Sequence, residues 1–258
     1  MKSVVCMKVT PKVDQIKFDE VKKTVTREGV ENEINEADKN ALEAALKVKD
    51  QLGGSVVVLS MGPPSFEPFL KLALSMGADD AVLLSDRAFA GADTFATSFV
   101  LAKGISKLAP YDLVLCGESS SDGSTEQVPP SIAEWLGLPR VSYANDLKVS
   151  GDNVVARRSV RGGYEIVEVK PPILASVELG CNTPRFPNFR RKKWAETEFK
   201  LTIWNLNDLN LPSDQVGLAG SLTEVTGLNK MRMPARLNRR IDGSEDDIAR
   251  ELARLLVS

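Results

Sequence analysis

A chain of 258 residues with 33 Lys and Arg against 35 Asp and Glu has no basic excess of the kind a nucleic-acid binder carries. Histidine is absent, which excludes a Ser-His-Asp or Cys-His nucleophile, a His-ligated metal and a His general base, and leaves demanding chemistry to a cofactor. With 43% hydrophobic and 26% charged residues the composition is that of a soluble globular protein, and Cys6, Cys116 and Cys181 have no CxxC spacing that would mark a disulfide framework or a zinc site.

The N-terminal apolar core, Val4–Met7, ends at Lys8 and is too short for a signal peptide or a membrane span, so a cytoplasmic location is expected. Ser3–Val9 reads as a buried strand that stops at Thr10-Pro11. Thr24–Asn32 is polar and glycine-containing, an excursion with a hairpin. Asn35–Asp50 reads as a helix with Ala41, Leu42, Ala45 and Leu46 on one face, Asn35 placed to cap it and Asp38 in its first turn. Ser55–Met61 is a continuous apolar run suited to a central parallel strand, broken by Gly62-Pro63-Pro64. A helix over Phe66–Met76, closed by Gly77, and a strand over Ala81–Leu84 follow. Asp93–Leu108 is a third helix with Phe95, Phe99 and Ile105 on its buried side, and Leu113–Cys116 is a fourth strand.

That strand runs into Gly117–Pro130, a loop of small and polar residues, and then into a helix carrying Ile132, Trp135 and Leu136. The free amides of a helix start, together with Ser119, Ser120, Ser121, Ser124 and Thr125, would suit an anion; on the loop alone a solvated connection is the better reading. Gly123 allows close approach, Asp122 could cap the helix or accept from a ribose hydroxyl, and Gln127 could bridge donors and acceptors. The alternation of strand and helix predicts a doubly wound, mostly parallel α/β sheet, whose ligands bind beyond the carboxyl ends of the strands. The loops after Val9, Met61 and Cys116 then share one edge. GxGxxG and Walker A motifs are missing, so a standard dinucleotide fold and a P-loop enzyme are not expected.

Beyond Pro139, Tyr143–Val149, Asn153–Val160 and Tyr164–Val169 alternate as antiparallel hairpins, and Ile173–Val177 returns to the main sheet. Gly180–Ala195 has no periodicity, and its basic cluster Arg185, Arg190–Lys193 interleaved with Phe186, Phe189 and Trp194 reads either as a solvated loop or as an interface. Leu206–Pro234 looks extended with little to bury, leaning on a partner chain. Asp242–Ser258 is a final helix capped by Ser244. Two domains are expected: residues 1–205 as the nucleotide-binding unit, and 206–258 as an arm ending in a helix.

Several segments, in order, resemble one known family: VVCMK, NEADKNALEAALKVKD, VVVLSMGPP, LALSMGADDAVLLSD, LVLCGESSSDGSTEQVPPSIAEWLGLP, GGYEIVEVKPPIL and NTPRFPNFRRKKWA. Over nearly its whole length the chain resembles the beta subunit of electron-transfer flavoproteins. The resemblance implies a Rossmann-like fold without GxGxxG, of the adenine-nucleotide alpha-hydrolase type, with a hairpin insertion and a C-terminal arm. It implies an obligate heterodimer with an alpha subunit that holds its own FAD, the last helix packing on that subunit. Carried over residue by residue, the nucleotide site comprises Cys6, Asn35 to Asp38, Met61 and Gly117 to Val128, among them Ser121, Asp122, Gly123, Ser124, Thr125 and Gln127.

One subgroup binds structural AMP and carries electrons from acyl-CoA-type dehydrogenases to a quinone oxidoreductase. The bifurcating and Fix-type subgroup has a DGDTAQVGP loop, binds a second FAD, takes hydride from NADH, and serves a high-potential acceptor and a ferredoxin or flavodoxin. Asp122–Pro130 reads DGSTEQVPP, nearer the second pattern, with Gly123 leaving room for FAD and departures at Ser124, Glu126 and Pro129. The resemblance further makes the Arg185-Phe186-Pro187 segment a recognition loop with Phe189 at its tip, and gives Glu165 a partner-contacting role.

Overall fold

A computed structural model describes residues 1–12, 17–19, 24–26, 30–226, 238 and 240–257. By compactness the chain divides into two units, Met1–Thr226 and Gly227–Ser258, a boundary lying beyond residue 205. The first unit opens with β1 (Lys2–Cys6), then the short strands β2 (Val9–Pro11), β3 (Lys17–Asp19), β4 (Thr24–Thr26) and β5 (Asn32–Ile34). It continues with α1 (Glu36–Leu52), β6 (Ser55–Met61), α2 (Glu67–Met76), β7 (Asp80–Leu84), α3 (Thr94–Lys107), β8 (Leu113–Gly117) and α4 (Val128–Leu136). Strands β9 (Arg140–Ser150), β10 (Asn153–Val160), β11 (Gly163–Val169) and β12 (Ile173–Val177) follow, then α5 (Phe189–Thr197), β13 (Thr202–Trp204) and the single turn α6 (Gly217–Gly220).

Among the described residues one nine-stranded sheet runs in the order β11-β10-β9-β12-β8-β1-β6-β7-β13. Pairing is parallel from β9 through β12, β8, β1, β6 and β7 to β13, and antiparallel only within β9-β10-β11. The doubly wound α/β class is as expected. The hairpins are not a separate sheet; they prolong the main one, with β12 inserted between β8 and β9.

Period-2 alternation in fully buried strands feeds two cores, one on each face of the sheet. Val5, Val56, Val58, Leu113 and Leu115 pack with Leu42 and Leu46 of α1 and Leu70 and Leu74 of α2. Val4, Cys6, Val57, Leu59, Val114 and Cys116 pack with Val100 and Ile105 of α3 and Ile132 of α4.

Several expectations need correction. The first strand ends at Cys6, three residues early, because the chain turns out of the sheet there; Val9–Pro11 pairs instead with Asn32–Ile34. The hairpin expected over Thr24–Asn32 is shared between β3-β4 and β2-β5, and residues 27–29 lie outside the described residues. Phe95 is 38% exposed rather than buried, and with Phe99 it packs on Trp135, ring centroids 5.3 and 5.0 Å away, sealing the groove between α3 and α4. Residues 189–197 form a helix that no periodicity announced, because Ala195 is its only buried residue; Asn188 caps it by accepting from the Arg190 and Arg191 amides.

The segment after residue 205 buries more than expected. Leu209, Leu211 and Val216 enter the α3-α4 core, so this part of the arm is packed as far as it belongs to the first unit; residues 227–234 lie outside the described residues. In the second unit α7 (Glu245–Val257) starts where read, the Asp247 amide donating to Ser244 Oγ at 3.3 Å. Among the described residues no helix is long and apolar enough to cross a membrane.

Candidate functional site

The chain leaves β1 toward β6 and β7 on one side and later returns to place β8 on the other. Such a reversal opens a crevice at the carboxyl ends of the two diverging strands, here β1 and β8. One side chain spans it. Asp38, in the first turn of α1, accepts the Lys8 N–H on Oδ2 and the Gly117 N–H on Oδ1, each at 2.8 Å. Burial pushes its carboxyl up to about 6, against the pull of the two backbone donors, the Asn35 side chain and the Lys8 charge. Gly117 admits no other residue at this junction: a Cβ there would lie 2.5 Å from Asp38 Oδ1 and 2.7 Å from the Ala37 carbonyl carbon.

Asn35 precedes α1 as expected but its side chain caps nothing on the helix. It reaches across to the loop instead, Nδ2 donating to the Ser119 carbonyl at 2.8 Å and Oδ1 accepting from the Ser121 N–H at 3.2 Å. Ser121 Oγ meets Thr10 Oγ1 at 3.2 Å, and Lys8 Nζ donates to Ser120 Oγ at 3.2 Å and to Asp122 Oδ1 at 2.5 Å. Burial would raise the Asp122 carboxyl, but the hydrogen bond and charge of Lys8 hold it below the usual range.

The second half of the loop is wound tightly. The Gly123 and Ser124 amides both turn back to the Ser120 carbonyl, and Ser124 and Glu126 have φ of 47° and 58°. Left-handed backbone at non-glycine residues costs free energy, and it collects at functional sites. Thr94 Oγ1, at the start of α3, donates to Gln127 Oε1 at 2.8 Å. Glu126 Oε2 accepts from the Tyr143 hydroxyl at 2.7 Å. The start of α4 is a poorer anion site than its sequence position suggests: Pro129 and Pro130 follow Val128 in its first turn and have no N–H to offer. The donors at the lip are therefore the Lys8 ammonium, the hydroxyls of Ser120, Ser121, Ser124 and Thr125, and loop amides.

Below the lip, Cys6 and Cys116 lie side by side in the buried cluster, with Met61 packed on its edge. A hydrogen bond with Cys6, then burial, pushes the Cys116 thiol well up, so it stays neutral and is no nucleophile.

The structure thus gathers Cys6, Asn35, Asp38, Met61 and the Gly117–Val128 loop at one edge. Lys8 lies there as the strand topology leads one to expect, and Thr10, Thr94 and Tyr143 join them unanticipated. Thr94 opens the helix after β7, so the edge rule alone could have flagged it; nothing local marks Tyr143. The residues expected to contact partners lie elsewhere. Glu165 on β11 pairs with Arg158 at 3.2 Å. Arg185 makes a two-pronged contact with the buried Glu43, at 2.8 and 3.1 Å, and reaches Asp50 at 2.7 Å, so it fastens its loop to α1. Phe186 and Phe189 are 92% and 81% exposed.

Residues 22–202 match the electron transfer flavoprotein domain. The chain belongs to the electron transfer flavoprotein family. It is similar to the electron transfer flavoprotein subunit beta of Clostridium acetobutylicum, 46% identical over 225 residues that cover 87% of this chain and 86% of that one. It is also similar to the caffeyl-CoA reductase-Etf complex subunit CarD of Acetobacterium woodii, 43% identical over 226 residues covering 87% and 86%. Protein FixA of Azotobacter vinelandii is 39% identical over 233 residues covering 88% and 83%. Within the electron transfer flavoproteins the chain is a beta subunit, and such subunits pair with an alpha subunit. The matched segment contains Asn35, Asp38 and the whole Gly117–Val128 loop; Cys6 and Lys8 precede it.

Proposed function

We propose that this beta subunit holds an FAD in the crevice between β1 and β8. With its alpha subunit, which carries a second FAD, it takes hydride from NADH and divides the electron pair. One electron goes to a high-potential acceptor, an acyl-CoA-type dehydrogenase or a quinone oxidoreductase, and the other to ferredoxin or flavodoxin. The observation that carries the reading is the lip. Asn35 and Asp38 hold the loop backbone from below, while Lys8, bonded to Ser120 and Asp122, and the hydroxyls of Ser120, Ser121, Ser124 and Thr125 line its mouth. Beside them Gly123 leaves space that a side chain would narrow, its missing Cβ lying 3.3 Å from Ser120 Oγ and 4.0 Å from Lys8 Nζ. That donor set fits a phosphate ester. The likeness to FixA and CarD supports the two-flavin form over its alternative.

When bound, the flavin supplies hydride acceptance and one-electron release. The chain's own residues bind and orient. Lys8 and the serine hydroxyls would donate to phosphate, Asp38 fixes the two backbone segments at the ends of β1 and β8, and Cys6, Cys116 and Met61 would exclude water from the floor. A structural AMP in a single-flavin carrier is the second reading. Asp122 already engages Lys8, and Glu126 adds another carboxylate, so the lip has little positive charge to spare for a diphosphate.

Counting nucleotides in the purified heterodimer separates the two. Two FAD and no AMP, with rapid reduction by NADH, are expected; one FAD with AMP, and no reduction by NADH, would give the carrier instead.

A further inference from the structure

Glu126 stands between Thr125 and Gln127 in a loop that we read as a phosphate site, where a carboxylate would repel the ligand. Four features of the chain turn it away. Glu126 itself adopts φ of 58°, outside the conformation of ordinary side-chain-bearing residues. Its Oε2 is taken by the Tyr143 hydroxyl at 2.7 Å. Tyr143 also has a left-handed φ, 59°, and its N–H leaves the ladder to donate to Ser176 Oγ at 3.1 Å. Finally, β9 bulges at this point: Ala175 pairs with Val141 but Val177 pairs with Ala144, so β9 carries an extra residue. A bulge beside a site re-aims a side chain, and here the re-aimed side chain is Tyr143. Arg158 braces the bulge from behind, its Nε donating to the Ser142 carbonyl at 3.2 Å.

We infer that Tyr143 is a positioning residue of the nucleotide site, its hydroxyl holding the Glu126 carboxylate out of the space that phosphate occupies. The inference rests on the reading of Gly117–Val128 as a phosphate site. It assigns two strained residues and a strand irregularity one shared purpose. The hydrogen bond also agrees with the Tyr143 hydroxyl being pushed up, first by Glu126 and then by burial.

The test is a calorimetric titration of AMP, or of FAD where the wild type does not bind AMP, into the heterodimer freed of its beta-site nucleotide, at low and at moderate salt, with the same outcomes read on either nucleotide. Tyr143→Phe should weaken AMP roughly fivefold at low salt, the effect of one released charge near the phosphate, and less at higher salt. Glu126→Gln should not weaken AMP, and adding Tyr143→Phe to it should change nothing further. Should Tyr143→Phe fail to assemble, Glu126→Asp, too short to reach the hydroxyl, must reproduce the loss. Unchanged AMP affinity in Tyr143→Phe, or an equal loss on the Glu126→Gln background, would overturn the role of Tyr143 while leaving the phosphate site standing. A wild-type heterodimer that binds neither AMP nor FAD would remove the phosphate-site reading, and the inference with it.

Discussion

The Asp38 carboxylate receives the Gly117 N–H at 2.8 Å while its second oxygen receives the Lys8 N–H, so one side chain of α1 ties the ends of β8 and β1 together. Its charge is held at a cost. Burial raises the carboxyl from 3.8 in the unfolded chain to about 6 in the fold. Well below 3.8 both states are protonated and nothing is lost. Between those values the folded state keeps a proton that the unfolded state has released, so stability falls as pH rises toward 6 and levels off above it. The total is about 3 kcal/mol. Urea unfolding of wild type and Asp38→Asn from pH 4 to 7 measures it: the difference between the two should change across that window. A difference that stays constant means Asp38 does not titrate there.

Gly117→Ala must move α1 or the end of β8, since the new Cβ would stand 2.5 Å from Asp38 Oδ1 and 2.7 Å from backbone. The expected loss is about 2–3 kcal/mol of stability, with loss of bound nucleotide. Gly123→Ala meets only Ser120 Oγ at 3.3 Å, so it should cost less than about 1 kcal/mol. Thermal melts and nucleotide content of the two variants check the contrast.

Arg185→Ala leaves the Glu43 carboxylate buried without its guanidinium. Removing one partner of a buried pair costs about 3–5 kcal/mol; since Arg185 is partly exposed, about 2 kcal/mol is expected. Arg185→Lys keeps the charge but not the two-pronged geometry and should recover less than half of that loss. Denaturant midpoints of the three proteins decide it.

Phe189→Ala removes a ring that is 81% exposed, so stability and flavin content should stay unchanged. If Phe189 anchors a partner dehydrogenase, binding weakens by about 2 kcal/mol, read as a rise in the KM for that partner. Electron-transfer kinetics equal to wild type would withdraw Phe189 from the role.

What was legible in the sequence follows from range. Ser55–Met61 emerges with its bounds intact because a strand covered on both faces writes its burial into consecutive residues. Asn35 was legible as the residue before a helix and illegible as a clamp, since its partners Ser119 and Ser121 are more than 80 residues away. Residues 189–197 escaped because their helix is fastened by polar contacts, Arg191 donating to the Leu74 carbonyl in the last turn of α2 and to the Ala78 carbonyl just beyond it, and not by an apolar stripe. Leu209, Leu211 and Val216 follow no period, so their burial left no trace. The proline pair at 129–130 is the opposite case: its missing donors were plain in the sequence, and the helix start was credited with amides it lacks.

The strand order also has a consequence for how the protein is made. β1 is synthesised before either of its neighbours, one of which is Leu113–Gly117, and β9 reaches the sheet only through Ile173–Val177. A chain still emerging from the ribosome therefore carries Lys2–Cys6 with one side of its ladder open until more than a hundred further residues have appeared. Pairings so distant in sequence form slowly and leave strand edges exposed meanwhile. The crevice between β1 and β8, with its bridge at Asp38, cannot form before that later strand has appeared.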